Sequence, residues 1–172
     1  CIHANKKTWD KISTLLAQIG PPVESQKKDF AVIGTNHFET NNQLFSEFMR
    51  RNANRNIDSI VSKEIFYKGG ISKEKRPIFY LILRRLEPDC IDMDLLMYHI
   101  LHTIEPFMIK PYEILIDLTK SGQSNEIQSQ WIQQFILILP FHTVDNLTTL
   151  YFYNANTAFR NFSKKFPYIL FL

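Results

Sequence analysis

The side chains of this 172-residue chain that could do chemistry are few and widely spaced. His99 and His102 lie three positions apart in a stretch of helical periodicity, where two imidazoles can share a metal ion. Their neighbours in the sequence offer no third ligand, so we predict no metal site. Asp117 ends a run of apolar residues, and burying its carboxylate without a partner would be costly. We therefore expect Asp117 to be a paired structural carboxylate rather than a general base.

The sequence contains none of the strong catalytic signatures, neither a phosphate-binding glycine loop, a nucleophile elbow nor an HExxH pair. Cys1 and Cys90 have neither metal-site nor disulfide-framework spacing, which favours a reducing, cytosolic setting. The net charge is +3, and no block of like charge is long enough to indicate a nucleic-acid-binding arm. No apolar run could span a bilayer, so any membrane contact would be peripheral. These features favour a binding module without cofactor or metal over an enzyme.

A strand, helix, strand pattern at 76–119 organises the rest of the chain. Consecutive apolar residues at 78–83 predict a strand that is covered on both faces, and 114–118 repeats the pattern. Between them, apolar residues recur at spacings of three and four, which predicts a helix with Asp92 as its N-cap. Two such strands joined by a crossover helix form a parallel βαβ unit with a right-handed connection. The sequence therefore predicts an α/β fold with a mostly parallel sheet.

The other expected elements alternate around this unit and continue to the last residue, so we expect the sheet to be truncated at the C-terminus. A polar segment without periodicity separates the first helix from the rest, which indicates a linker. The expected elements are a helix at 8–19, a linker at 23–42, a short helix at 44–51, a helix passing into a strand at 57–67 that pairs antiparallel with 78–84, a helix at 126–139 ended by Pro140, a strand at 148–153, a helix at 157–165 and a strand from 167.

Three long blocks carry a family resemblance: FYKGGISKEKRPIFYLILRRL at 66–86, DLLMYHILHTIEPFMIKPYEILIDLTKSGQSN at 94–125, and DNLTTLYFYNANTAFRNFSKKF at 145–166. They resemble the CRAL-TRIO lipid-binding domain of neurofibromin and of the yeast inhibitory regulators of Ras. The segments TWDKISTLLAQIGPP and LFSEFMRRN are similar to the region that joins this domain to the preceding Ras GTPase-activating domain.

The resemblance implies a domain organisation and a function. Residues 1–22 would be a helix from the end of the GTPase-activating region, 23–43 a linker, and 44–172 a CRAL-TRIO domain that is incomplete at its C-terminus. The region would hold one glycerophospholipid as a non-catalytic, cytoplasmic and peripherally membrane-associated part of a regulator that turns Ras off. Its partners would be the adjacent pleckstrin-homology-like and GTPase-activating domains, and Ras through the parent protein. The alternative is a protein-interaction scaffold with no ligand bound.

We expect lipid-facing residues among the apolar positions of the sheet. Strand alternation groups these positions by face but does not decide which face meets the ligand. The loop GGISKEKRP could also touch an anionic surface, although a solvated turn would have the same composition. The predicted lipid-contacting residues are Phe79, Leu81, Ile116, Leu118 and Phe152, with Tyr151 and Tyr153 as the opposite-face alternative, and the predicted anionic-surface residues are Lys68, Lys73, Lys75 and Arg76.

Overall fold

Helices lie on one face of a four-stranded sheet in the computed structural model, which describes residues 37–155. The α/β class predicted from the sequence is confirmed. The strands are β1 (Phe66–Ile71), β2 (Pro77–Ile82), β3 (Tyr112–Asp117) and β4 (Leu147–Tyr153). The helices are α1 (His37–Asn52), α2 (Asp58–Val61), α3 (Met93–Ile104), α4 (Ser129–Ile138) and α5 (Phe141–Asn146). The helices expected at 8–19 and 157–165 and the strand expected from 167 lie outside the described residues.

The strands follow the order β1-β2-β3-β4, and the sheet is mostly parallel as predicted. β1 pairs antiparallel with β2, with Phe66 opposite Leu81. β2 pairs parallel with β3, and β3 pairs parallel with β4. Each parallel pair is joined through helices, α3 in the first case and α4 with α5 in the second. Because such connections are right-handed and the strand order advances in one direction, both crossovers lie on the same face of the sheet.

The crossover helix α3 is set up by its N-cap. The Asp92 side chain accepts a hydrogen bond from the Leu95 amide at 2.9 Å, as the sequence predicted. Asp92 also forms an ion pair with Arg55, which ties the loop before α2 to the start of α3. Eight of the residues of α3 are buried, so the helix is held mainly by packing between the sheet and the other helices.

The core lies between α3 and the β1–β2 part of the sheet. Phe79 of β2 is fully buried and stacks on Phe66 of β1 with ring centroids 5.8 Å apart. Phe107 and Tyr112 meet the Phe79 ring edge-on at 5.5 and 5.9 Å. Aromatic pairs with these geometries add to the free energy of burial. The Tyr112 hydroxyl donates a hydrogen bond to the Thr143 carbonyl at 2.8 Å, which connects β3 to α5.

Several element boundaries differ from the sequence prediction. α1 begins at His37, inside the segment predicted as a linker, and Asn41 near its start is buried and donates a hydrogen bond to α4. The glycine pair at 69–70 belongs to β1, and the turn is formed by 72–76. Pro140 ends α4 as expected but also occupies the N-cap of α5, a helix that the sequence analysis missed. A proline is well tolerated there because it has no N–H to leave unpaired.

Candidate functional site on the sheet

Register assigns the strand residues to two faces with different chemistry, because partners across a parallel or antiparallel ladder point to the same side. We call the face covered by α3 the helix face and the opposite one the open face. The helix face carries Phe66, Lys68, Phe79, Leu81, Ile114, Ile116, Leu150 and Phe152. The open face carries Tyr67, Ile78, Tyr80, Ile82, Glu113, Leu115, Asp117, Thr149, Tyr151 and Tyr153.

The helix face is not covered evenly. At β1 and β2 its aromatic residues are completely buried beneath α3, as Phe66 and Phe79 show. Leu81 of β2 and, beyond the buried Tyr112, the helix-face residues of β3 and β4 are only half-buried, and α4 packs on α1 more than on β3 or β4. This half-buried part, which we call the apolar patch, consists of Leu81, Ile114, Ile116, Leu150 and Phe152.

α4 lies on the same side of the sheet as the apolar patch. Trp131 and Phe135 stack with centroids 5.5 Å apart and pack against the core, which Ile138 joins. Ile132 and Ile136, on the neighbouring side of the helix, are half-buried and lie outside that core. α4 and the apolar patch therefore both present aliphatic side chains that are not fully packed by the described residues.

Charged and hydroxyl groups interrupt the open face. Glu113 is 1% exposed, accepts a hydrogen bond from the Tyr151 hydroxyl at 3.2 Å, and lies 3.5 Å from Nη1 of Arg76. That nitrogen also donates to Oγ1 of Thr148 at 3.2 Å. Partial burial and the negative charge of Glu113 raise the pKa of Tyr151 above its ordinary value. This end of the open face is thus a hydrogen-bonded polar cluster.

Asp117 lies at the carboxyl end of β3 and is paired, as predicted. Its carboxylate accepts hydrogen bonds from Nη1 of Arg84 at 3.1 Å and from the Thr119 amide at 2.8 Å. Burial acts to raise the pKa of Asp117, but the hydrogen bonds from Thr119 and the charge of Arg84 outweigh it, so the pKa is lowered. A carboxylate held in its ionised form by an arginine is suited to a structural role.

The predicted lipid-contacting residues divide into two groups. Phe79 and Leu118 are buried under the protein's own atoms, at 0% and 4% exposure. Leu81, Ile116 and Phe152 belong to the apolar patch and keep part of their surface. The alternative pair, Tyr151 and Tyr153, lies on the open face, with 42% and 57% exposure. Lipid contact by either group stays a prediction.

The four basic residues predicted to meet an anionic surface do not form one patch. The Lys68 ammonium lies over the Phe107 ring on the helix face, 4.6 Å from its centroid. Arg76 belongs to the Glu113 cluster on the open face. Lys73 and Lys75 are exposed in the turn between β1 and β2, where they remain candidates for such a contact.

The two histidines of α3 contact neighbouring residues of the protein. His99 Nε2 is 2.9 Å from the Phe66 carbonyl and ties α3 to β1, while His102 stacks on Tyr98 with centroids 5.6 Å apart. No group of three potential metal-ligating side chains comes together within residues 37–155. In the same part of the chain, no helix has the length and apolar character needed to cross a membrane.

Two residues that position α4 were missed. Asn41 donates hydrogen bonds to the carbonyls of Leu137 and Leu139 at 2.8 and 3.1 Å. Trp131 Nε1 donates to the Met93 carbonyl at 2.9 Å. Asn41 stands in a polar run that gives no pattern for such a contact. For Trp131 the signal was available, because a half-buried indole N–H usually finds an acceptor.

Comparison with known proteins identifies the family. The sequence pattern of the divergent CRAL/TRIO domain matches residues 75–171, which is more than half of the chain. Inhibitory regulator protein IRA2 of Saccharomyces cerevisiae is 24% identical over 154 residues, 90% of this chain and 5% of that protein. Ganglioside-induced differentiation-associated protein 2 of Xenopus laevis is 20% identical over 108 residues, 63% of this chain and 22% of that protein. The chain thus spans a small part of each relative. It belongs to the divergent CRAL/TRIO domain family.

Proposed function

We propose that this chain is a non-catalytic module that binds one glycerophospholipid, and that it acts within a Ras GTPase-activating protein that negatively regulates Ras. The acyl chains would lie along the apolar patch of the helix face, on the side of the sheet where α4 crosses. In this arrangement Leu81, Ile116 and Phe152 contact the lipid, while Phe79 and Leu118 support them from within the core.

The chemistry of the apolar patch is the observation that carries the proposal. Its five side chains bear no charge and no hydrogen-bonding group, and they are only half-buried by the described residues. The open face instead carries Glu113 and Asp117, each paired with an arginine. Laying hydrocarbon over such groups would remove water from them without offering a hydrogen bond in exchange, which is costly. Hydrocarbon tails therefore fit the helix face better.

The energetic scale is sufficient for tight binding. Each methylene group that leaves water for an apolar surface contributes about 0.8 kcal/mol. About ten methylenes covered by the apolar patch and α4 would then contribute roughly 8 kcal/mol before the cost of ordering the lipid. Leaving the tail partly uncovered lowers this value in proportion.

The regulatory part of the proposal is supported by the likeness to the yeast inhibitory regulator, which extends over 90% of this chain. We further propose that the module is cytoplasmic and binds membranes peripherally, with the exposed Lys73 and Lys75 near the anionic surface. The adjacent pleckstrin-homology-like and GTPase-activating domains of the parent protein would contact it, and Ras would be reached through the parent. The purified chain should leave the rate of GTP hydrolysis by Ras unchanged, as a single-turnover assay can check.

Two neighbouring residues of β3 provide a matched test of lipid binding. Ile116 lies on the apolar patch and Leu115 on the open face, and both are half-buried. A glutamine at either position places a carboxamide on one face without adding charge. Without a hydrogen-bonding partner, the carboxamide costs about 1–3 kcal/mol against hydrocarbon, which corresponds to roughly 5- to 150-fold weaker binding.

The measurement is native mass spectrometry of the purified 172-residue chain and both variants after incubation with phospholipid vesicles. We expect one bound phospholipid on the unsubstituted chain (the parent chain) and on Leu115→Gln. On Ile116→Gln we expect the phospholipid occupancy to fall strongly. Loss with Leu115→Gln alone would transfer the site to the open face and overturn our assignment. Absence of phospholipid from all three proteins, with the adjacent domains also included, would favour the ligand-free scaffold.

A further inference from the structure

The attachment of α4 is unusual for a crossover helix. Helices that connect parallel strands normally pack their apolar side onto the sheet. Here the aromatic row of α4, Trp131 and Phe135, packs against the core, and the helix contacts α1 more than β3 or β4. Aliphatic residues Ile132 and Ile136 are left half-buried outside the core.

Polar tethers hold the two ends of α4. At its start, Trp131 Nε1 donates to the Met93 carbonyl on the first turn of α3 at 2.9 Å. At its end, the Asn41 side-chain amide of α1 donates to the carbonyls of Leu137 and Leu139. Carbonyls in the last turn of a helix lack partners within the helix, so Asn41 acts as a C-terminal cap supplied by another helix.

Asn41 makes these bonds at a cost. It is 7% exposed, and its Oδ1 atom is buried without a hydrogen-bond partner among the described residues. A buried acceptor without a partner is unfavourable. The side chain thus pairs both amide donors with α4 and leaves its acceptor oxygen without a partner in the described part of the chain. This indicates that Asn41 contributes to holding α4 in place, at a cost in its own solvation.

We infer that Asn41 and Trp131 are positioning residues that suspend α4 from α1 and α3, and so keep the apolar patch of the sheet accessible to a ligand. The inference rests on the proposed lipid binding for its functional consequence. Without the tethers, Ile132 and Ile136 would be free to collapse onto Ile116 and Leu150, because that would bury apolar surface on both sides. The ligand space would then be filled by the protein itself.

Asn41→Ala tests the inference against a matched control. Asn52→Ala removes another buried asparagine from the same helix. The Asn52 amide donates to the Phe48 carbonyl at 2.9 Å and its Oδ1 accepts from Nη1 of Arg55 at 3.0 Å, so neither bond reaches α4. Trp131→Phe provides a second variant, since it removes the indole N–H and keeps an aromatic ring. All variants are made in the full chain and compared by hydrogen exchange and by native mass spectrometry after incubation with phospholipid vesicles.

We expect Asn41→Ala and Trp131→Phe to raise hydrogen exchange about tenfold for the amides of α4 and to lower phospholipid occupancy, while Asn52→Ala keeps both at the level of the parent chain. Unchanged exchange of α4 in Asn41→Ala would overturn the inference. So would equal loss of phospholipid in Asn41→Ala and Asn52→Ala. If the parent chain carries no phospholipid, the proposed function fails, and hydrogen exchange still tests the tethers.

Discussion

Replacing Phe79 by alanine tests the distinction between the packed and the half-buried parts of the helix face. The ring has 0% exposure and contacts Phe66, Phe107 and Tyr112 at centroid distances of 5.8, 5.5 and 5.9 Å. Truncating a buried phenylalanine to alanine costs about 3–5 kcal/mol. Each aromatic pair adds roughly 0.5–1.5 kcal/mol beyond area burial. Since three pairs are lost, we expect a value near the upper end, about 4–5 kcal/mol.

Thermal unfolding followed by circular dichroism measures this loss. For a chain of this size, each kcal/mol lowers Tm by about 2–4 °C, so Phe79→Ala should melt roughly 8–20 °C lower. Ile109→Ala is the control, because Ile109 is 74% exposed and its truncation should change Tm little. A Tm for Phe79→Ala within about 2 °C of the parent chain would refute the packing described here.

The milder variant Phe79→Leu separates folding from ligand contact. Leucine keeps much of the apolar volume, so the loss should fall to roughly 1–3 kcal/mol and leave a folded protein. Because the ring is covered by the protein's own atoms, phospholipid occupancy should equal that of the parent chain. Reduced occupancy in a variant whose fold is intact would show that Phe79 contacts the lipid directly.

Three further predictions concern the N-cap, acid stability and the edge strand. Asp92→Ala should lower the free energy of unfolding by about 1 kcal/mol, whereas Asp92→Asn, which keeps an acceptor for the capping bond, should lose less in urea titrations. The pKa values of Asp92 and Asp117 are lowered in the folded state. Their stabilisation is therefore complete above the unfolded pKa and lost as pH falls through the folded pKa, below about pH 4. Asp117→Asn should show a shallower loss of Tm in this range, and an unchanged acid profile would contradict the lowered pKa. A Cβ on Gly69 would overlap the Tyr80 ring, whereas one on Gly70 meets nothing within 4 Å. Gly69→Ala should accordingly change the near-ultraviolet circular dichroism of the tyrosines, and Gly70→Ala should leave it unchanged; equal spectra for both would contradict the placement of that ring.

The βαβ unit was predictable because its signals are local and agree with one another. Apolar runs mark β2 and β3, a spacing of three and four marks α3, and Asp92 stands at the N-cap. Each feature excludes most alternatives for its own segment, and the handedness rule then determines how the segments connect. The antiparallel pairing of β1 followed from the short turn between two strand-like runs.

Features that depend on contacts between distant segments were not predictable. The start of α1 lies in a polar run, and Asn41 is buried there because it reaches carbonyls 96 and 98 positions away in the sequence. Lys68 and Arg76 lie close together in the sequence, which predicts one basic patch with the loop lysines between them. In the structure, Lys68 lies over the Phe107 ring on the helix face, whereas Arg76 pairs with Glu113 on the open face. The sequence predicts only that Pro140 ends α4, although a proline that follows one helix can also precede the next.

The apolar patch of the candidate site was predictable from the sequence only in part. Alternation grouped Leu81, Ile116 and Phe152 on one face, but two pieces of information came from the structure. One is that α4 leaves this region half-covered, and the other is that the opposite face carries paired carboxylates at Glu113 and Asp117. Together they favour hydrocarbon on the helix face.

The most direct test of the lipid assignment is paramagnetic broadening in two-dimensional NMR with a phospholipid that carries a nitroxide on its acyl chain. We predict that the side-chain methyl signals of Ile114, Ile116 and Ile132 broaden most strongly, while the methyl signals of Leu115 on the open face broaden less. Selective broadening of the open-face signals, with those of the apolar patch unaffected, would contradict the lipid assignment.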